Sequence, residues 1–210
     1  MQYVKRDYPL SEEEKEAQAK EREQREKDLR IRNNRLGITV FQISWTMAFI
    51  ALIVSYWQLG FNPEMRPTPE QAPHPFFPAI ATIALFASVW LTHRALKIVK
   101  NTEVGEAPQF RFIWLLAIGL GILFLLVMMQ QFFVMPTVEF GMIYRLMIGF
   151  HALHAFVIGI MMFQVWRYGA DGRYNVENYW SVEGAMRLWD FVAGAWILFY
   201  AVLYLPFLLQ

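Results

Sequence analysis

Two histidines one helical turn apart, in Gly149-Phe150-His151-Ala152-Leu153-His154, carry the strongest chemical signal in the chain. They fall inside an apolar run long enough to cross a membrane, where an imidazole is costly and seldom occurs without a job or a partner. At a spacing of i,i+3 both rings point to one helix face. Such a pair suits ligation of haem or metal, relay of protons, or hydrogen bonding to a neighbouring helix and, through water, to each other. One haem cannot take both as axial ligands, because they stand on the same side of it. A bis-histidine haem then needs a second helix, and His93 is the other histidine within a span. His93 lies about seventeen residues from the outer end of its helix, and His151 and His154 about nine and twelve from theirs. At ~1.5 Å per residue that is a depth mismatch of roughly 7–12 Å. No carboxylate or cysteine completes a metal set at those depths. Hydrogen bonding between helices is therefore the expected role.

A second unusual stretch follows across a polar loop: Trp180-Ser181-Val182-Glu183, then Trp189-Asp190 and Trp196. Glu183 is expected just before the last helix, paired with Arg187 at i+4 or joined to the histidine helix in a polar cluster. Asp190 is expected in the first turn, where the helix dipole favours a carboxylate. Arg145 reads as a snorkelling interface charge and Gln130-Gln131 as hydrogen-bonding glue between helices. Gly119, Gly121, Gly149, Gly159 and Gly194 let helices approach closely. Nothing in the chain has the pattern of a phosphate loop, a nucleophile triad or a two-carboxylate catalytic pair.

The elements that hold these residues follow from composition. Of 210 residues 56% are hydrophobic and only 18% charged, too few for a soluble domain of this size. The charge is also uneven, since residues 1–35 hold ten Lys or Arg and nine Asp or Glu. A net charge of +1 gives no reason to invoke nucleic acid. The absence of cysteine removes disulfides, thiolate metal sites, iron–sulfur clusters and c-type haem attachment. No signal peptide is visible.

The fold class expected is all-α: a polytopic membrane protein, a five-helix transmembrane bundle with a charged cytoplasmic helix in front. Residues 1–35 form the charged tail and 36–210 the transmembrane domain. Ser11 and Glu14 have capping-box spacing, predicting a helix over about 11–32 stopped by Asn33-Asn34. Five apolar runs, 36–61, 76–96, 112–135, 142–166 and 188–209, each reach the ~20 residues that span hydrocarbon. His93 and Arg94 interrupt the second, so Arg94 should snorkel at the interface. The proline-rich segment 62–75 is expected as an extended exterior loop. Tyr56, Trp57, Trp114, Trp166, Tyr168, Trp180 and Trp189 are expected to form aromatic belts. Fourteen Lys or Arg fall in 20–39, 94–111 and 167–187, against Arg66 and Arg145 on the other side. The positive-inside rule then places the N-terminus in the cytoplasm and the C-terminus outside.

These residues together resemble subunit III of the haem-copper terminal oxidases. The family's penultimate helix reads Gly-Phe-His-x-Leu-His, matched by Gly149 to His154. Its last loop and helix carry Glu, Trp, Phe, Val, Trp and Tyr at the spacings of Glu183, Trp189, Phe191, Val192, Trp196 and Tyr200. His93 and Pro136 fit a family histidine and proline. The family usually has seven helices, and this sequence resembles the last five; the first two make a lipid-filled cleft in the family. A family glutamate falls where Trp45 stands, another acidic position is Gln131, and the usual last-helix His and Asp are Asp190 and Ala193.

The resemblance implies a non-catalytic subunit of a proton-pumping bacterial oxidase in aerobic respiration. It would stabilise subunit I (its main contact), that subunit's lipid environment and its proton uptake, with subunit II as a further partner. No catalytic, cofactor or metal residue is implied on this chain; haem and copper belong to partner subunits, and bound phospholipid is implied. His93, His151, His154, Glu183, Trp189 and Trp196 are the signature polar and structural positions. The chain is placed in the bacterial inner membrane. The alternatives are an accessory subunit of a nitric oxide reductase, a small b-type cytochrome anchor, and a transporter or assembly factor.

Overall fold

The computed structural model describes residues 11–60, 74–102, 108–135 and 139–208. The described residues form helices α1 (Glu12–Gly60), α2 (Phe76–Lys100), α3 (Pro108–Val134), α4 (Glu139–Tyr168) and α5 (Trp180–Leu208), with a 3₁₀ turn at Gly169–Asp171. All five helices are long and apolar enough to cross a membrane. The expected exterior loop, apart from His74 and Pro75, and Pro136 lie outside the described residues.

The chain divides into two compact units, Met1–Thr39 and Val40–Gln210. In the first, the capping box forms as its spacing predicts. The Ser11 N–H donates to Glu14 Oε2 at 2.8 Å, and the Glu14 N–H donates back to Ser11 Oγ at 3.2 Å. Exposed ion pairs Glu12–Lys15, Glu21–Arg25 and Glu23–Lys27 line the helix. Asn33-Asn34 do not stop it, contrary to expectation. Asparagine lowers helix propensity by only about 0.7 kcal/mol relative to Ala, and no proline follows to forbid another turn.

In the second unit α2 packs on α3 and α5, and α4 closes the ring against the same two helices. The α1 segment from Val40 onward meets α4 and α5: Trp45 lies 5.3 Å from Phe150, and Gln42 Nε2 donates to the Arg187 carbonyl at 2.9 Å. Large side chains fill the inside, among them Trp114, Trp189, Trp196, Phe124 and Phe199. Outward faces carry Ile83, Trp90, Phe112, Leu126, Phe133 and Phe156, each more than half exposed. Apolar faces of this extent are what lipid tails solvate without penalty and water does not.

The expectation about aromatics changes in part. Trp57 and Tyr168 are exposed as a belt requires, but Tyr56, Trp114 and Trp189 are core residues. Position near a helix end did not decide their place: the Trp114 and Trp189 indoles each find an acceptor inside the bundle, and Gly121 leaves room for Trp189. Arg94 is exposed and lays its guanidinium over the Trp90 ring at 5.5 Å, one turn back along α2.

Helix α5 starts at Trp180, well before the apolar run that begins at 188. The approach to it is tightly built. Gly172 takes the left-handed conformation (φ 63°) that ends the 3₁₀ turn. Asn175 Oδ1 accepts the N–H groups of Glu177 and Asn178, and the Val176 N–H donates to Thr102 O at 3.0 Å, tying the loop to the end of α2.

Candidate functional site

His151 and His154 project from α4 to one side, as their spacing requires, with ring centroids 6.4 Å apart. Both are fully buried, and what surrounds them is aromatic. His151 stacks on Trp196 at 5.5 Å and meets Phe124 edge-on at 5.7 Å. His154 stacks on Trp45 at 4.8 Å and meets Phe191 edge-on at 5.4 Å. Phe49 touches both, at 5.8 and 5.6 Å. None of the four ring nitrogens has a hydrogen-bond partner among the described residues. The expected interhelical hydrogen bonds are therefore replaced by ring contacts. The physical reason is composition: the faces of α1, α3 and α5 turned towards the pair offer phenyl and indole rings. Aromatic pairs of this geometry contribute about 0.5–1.5 kcal/mol each beyond burial.

Three of the hydrogen bonds that cross between helices come from tryptophan. Trp189 Nε1 donates to Ser88 Oγ at 2.9 Å, and the Ser88 hydroxyl in turn donates to the Ala117 carbonyl at 2.7 Å, so α5, α2 and α3 are joined in series. Trp196 Nε1 donates to Thr82 Oγ1 at 2.8 Å. Trp114 Nε1 donates to the Met162 carbonyl at 2.9 Å, joining α3 to α4. Trp189 fits only because residue 121 is glycine: a Cβ there would stand 2.9 Å from the indole Cζ2. Sequence reasoning missed Ser88 and Thr82. The signal was available, since the two hydroxyls lie six residues apart on α2 and the two indoles seven apart on antiparallel α5.

At the start of α5, Glu183 is buried in the first turn and does not precede the helix. Its carboxylate accepts from Arg187 Nε at 3.0 Å, as expected, and from Lys100 Nζ at 3.3 Å, a partner not foreseen. Lys100 also sits 4.6 Å above the Tyr179 ring. A carboxylate in the first turn is favoured by the helix dipole, and two cations offset its burial. Glu183 and His154 do not form one polar cluster. His154 lies at the level of Phe191, eight residues and about 12 Å further along α5.

Asp190 is the larger correction. It stands in the third turn of α5, because the helix begins at Trp180, so capping does not explain it. Instead Asp190 Oδ1 and His93 Nε2 share a 2.9 Å hydrogen bond between α5 and α2. Both side chains are partly exposed on the bundle surface. His93 thus joins neither His151 nor His154 but a carboxylate 97 residues away.

Near the other end, Tyr144 of α4 donates to Gln131 Oε1 at 3.2 Å and bonds the Tyr204 hydroxyl of α5. This bears out the reading of Gln131 as a link between helices. Arg145, expected as a snorkelling interface charge, donates to the Met135 carbonyl.

Among the described residues no three His, Cys, Asp or Glu side chains gather as a metal set. What the arrangement does is fasten helices: indoles to hydroxyls, Glu183 to two cations, tyrosine to tyrosine.

Comparison with known proteins covers nearly the whole chain. The family described as Cytochrome c oxidase subunit III matches residues 22–206. A curated protein of Thermostichus vulcanus, cytochrome c oxidase subunit 3, is 30% identical over 176 residues, covering 81% of this chain and 86% of the relative.

Proposed function

The chain belongs to the cytochrome c oxidase subunit III family, and from that membership we propose that its work is to hold an oxidase together, not to carry electrons. It is a multi-pass membrane protein and a haem-copper oxidase subunit, assembled with other oxidase subunits. In our reading it packs mainly against subunit I, with subunit II as a further partner. It keeps phospholipid at that contact and so protects proton uptake and the durability of turnover. Haem and copper are carried by the partner subunits.

One observation supports the scaffold reading above others. The signature side chains Trp189, Trp196 and Glu183 are each committed to bonds between helices or across a helix end. His151 and His154 are packed among aromatic rings. Interhelical bonds in a bilayer are modest singly, about 0.6–2 kcal/mol, and such a series acts through their number. The nitric oxide reductase and b-type cytochrome readings are not favoured by the family match.

The membrane we assign is the bacterial inner membrane, and the positive-inside charge count supports a cytoplasmic N-terminus there. Because the chain has no cysteine, single-cysteine labelling tests this directly. A cysteine at His74 should react with an impermeant thiol reagent in intact cells and one at Asn175 should not; reversed labelling would overturn the topology.

The role itself is tested by mass spectrometry of the native complex purified through a tag on this chain. Subunits I and II, with haem in the sample, are the expected result. Recovery of nitric oxide reductase subunits, or of haem bound to this chain alone, would contradict it.

A further inference from the structure

An ionisable side chain at hydrocarbon depth faces a protein neighbour or a water-filled cavity, and seldom lipid. The His93–Asp190 pair stands on the outer side of the α2–α5 seam, its side chains 49% and 35% exposed. Among the described side chains of α2 to α5, no other histidine or carboxylate faces outward. The pair is also deep. Helix α5 has 29 residues and α2 has 25. Centred in a ~30 Å hydrocarbon layer, they overhang it by roughly 7 and 4 Å at each end. Asp190 lies ten residues in from Trp180 and His93 seven in from Lys100. Those steps are ~15 and ~10 Å, which put both groups about 7–8 Å beneath the hydrocarbon surface. Arginine and lysine reach water from such a depth by snorkelling, whereas aspartate and histidine are too short. Asp190 Oδ1 is engaged by His93, but Oδ2 accepts no hydrogen bond among the described residues.

The surface beside the pair has room for a helix. On α2, Trp90, Phe86 and Ile83 continue from His93 at intervals of three and four residues, forming one exposed stripe. On α5, Gly194 follows Asp190 at i+4 and Ile197 at i+7, and both are exposed. A Cβ added at Gly194 would meet nothing within 4 Å. Packing inside this chain therefore does not require glycine at 194, whereas Trp189 does require it at 121. A bare stretch of backbone on the outer face of a membrane helix lets a second helix approach closely. The exposed Trp90 beside it is the type of side chain that anchors such a contact. A lipid tail uses neither the glycine nor the carboxylate. A helix with a hydrogen-bond donor at the depth of Asp190 uses both.

We propose that the outer face of the α2–α5 seam is where this chain docks on subunit I, receiving one transmembrane helix that lies along Gly194 and donates a side-chain hydrogen bond to Asp190 Oδ2. The proposal rests on the reading of the chain as an oxidase subunit and gives that contact its place on the bundle. Docking takes the pair out of lipid and holds the carboxylate between His93 and the partner's donor.

The test uses the native oxidase purified through a tag on subunit I, and reads the share of this chain retained after a detergent wash. Gly194→Leu fills the open space without disturbing the chain's own packing, and should lower retention roughly tenfold. Gly159→Leu is the control, because that position is equally open but lies on α4, away from the seam; retention should not change. Asp190→Leu removes the acceptor and should lower retention as Gly194→Leu does, whereas Asp190→Asn keeps an acceptor and should be retained. A photo-crosslinker at Ile197 reads the contact without depending on those variants. It should capture subunit I, while one at Phe156, on the outer side of α4, should capture lipid. Undiminished retention of Gly194→Leu, or equal losses in both glycine variants, would overturn the proposal. So would capture of lipid, or of a second copy of this chain, at Ile197. A haem-containing wild-type preparation tagged on subunit I that lacks this chain altogether speaks against the oxidase-subunit reading, separately from the docking face.

Discussion

The Gly121–Trp189 contact offers the sharpest test of how this bundle is held. A Cβ at residue 121 would stand 2.9 Å from Trp189 Cζ2 and 3.1 Å from Cη2. The indole cannot withdraw easily, because it is buried and its Nε1 is fixed to Ser88 Oγ at 2.9 Å. Gly121→Ala should therefore overpack the seam and cost about 1–3 kcal/mol. Trp189→Phe removes the indole edge and its donor. Ser88 keeps the Ala117 carbonyl as acceptor, so no buried hydroxyl is left unpaired. The cost is one membrane hydrogen bond, about 0.6–1.7 kcal/mol, plus lost packing, for a total of roughly 2–4 kcal/mol. In the double variant the alanine methyl enters the space that Cζ2 and Cη2 occupied. The two losses should then fall short of additivity by about 1 kcal/mol or more. The assay is the temperature at which this subunit leaves the purified complex in lipid nanodiscs, compared across the four proteins of the cycle. Additive losses, or a double variant weaker than the sum, would refute the contact as the reason for glycine at 121.

Glu183→Ala leaves Lys100 and Arg187 facing each other without a carboxylate, and should destabilise the subunit by about 2–3 kcal/mol, read as earlier thermal release from the complex. His151→Phe should be tolerated within about 1 kcal/mol, because the ring packs on rings, whereas His151→Ala should cost about 3 kcal/mol or more; equal losses in both would point to an essential hydrogen bond. Asp190→Asn should change stability by less than about 1 kcal/mol, since its bond to His93 is partly exposed; a drop comparable to that of Glu183→Ala in the same thermal assay would contradict that ranking.

The five spans were legible because hydrocarbon demands about twenty apolar residues and little else. Helix ends were not, because they depend on partners far away in sequence. Glu183 and Arg187 look like loop residues until Lys100 arrives from α2 to balance them. The same distance hid the His93–Asp190 pair and turned Asp190 from an apparent cap into a link between helices. Periodicity placed both histidines on one face, but it could not tell that Trp45, Phe49 and Phe124 would meet them with rings. Asn33-Asn34 misled for a local reason: a weak helix residue was read as a stop where no proline or turn partner enforced one. Trp114 and Trp189 look like interfacial anchors in the sequence because composition near a helix end cannot show whether an indole N–H has an acceptor inside.

A chain that sustains an oxidase without taking part in its electron transfer should be dispensable for the first turnovers and not for the later ones. Oxygen uptake should be followed from the first turnovers by matched complexes with and without this subunit, their haem spectra recorded beforehand. Unchanged haem spectra, an initial rate near that of the full complex, and then a faster decay are expected when the subunit is missing. Immediate loss of oxygen reduction, with every haem still present and the remaining subunits assembled, would contradict it.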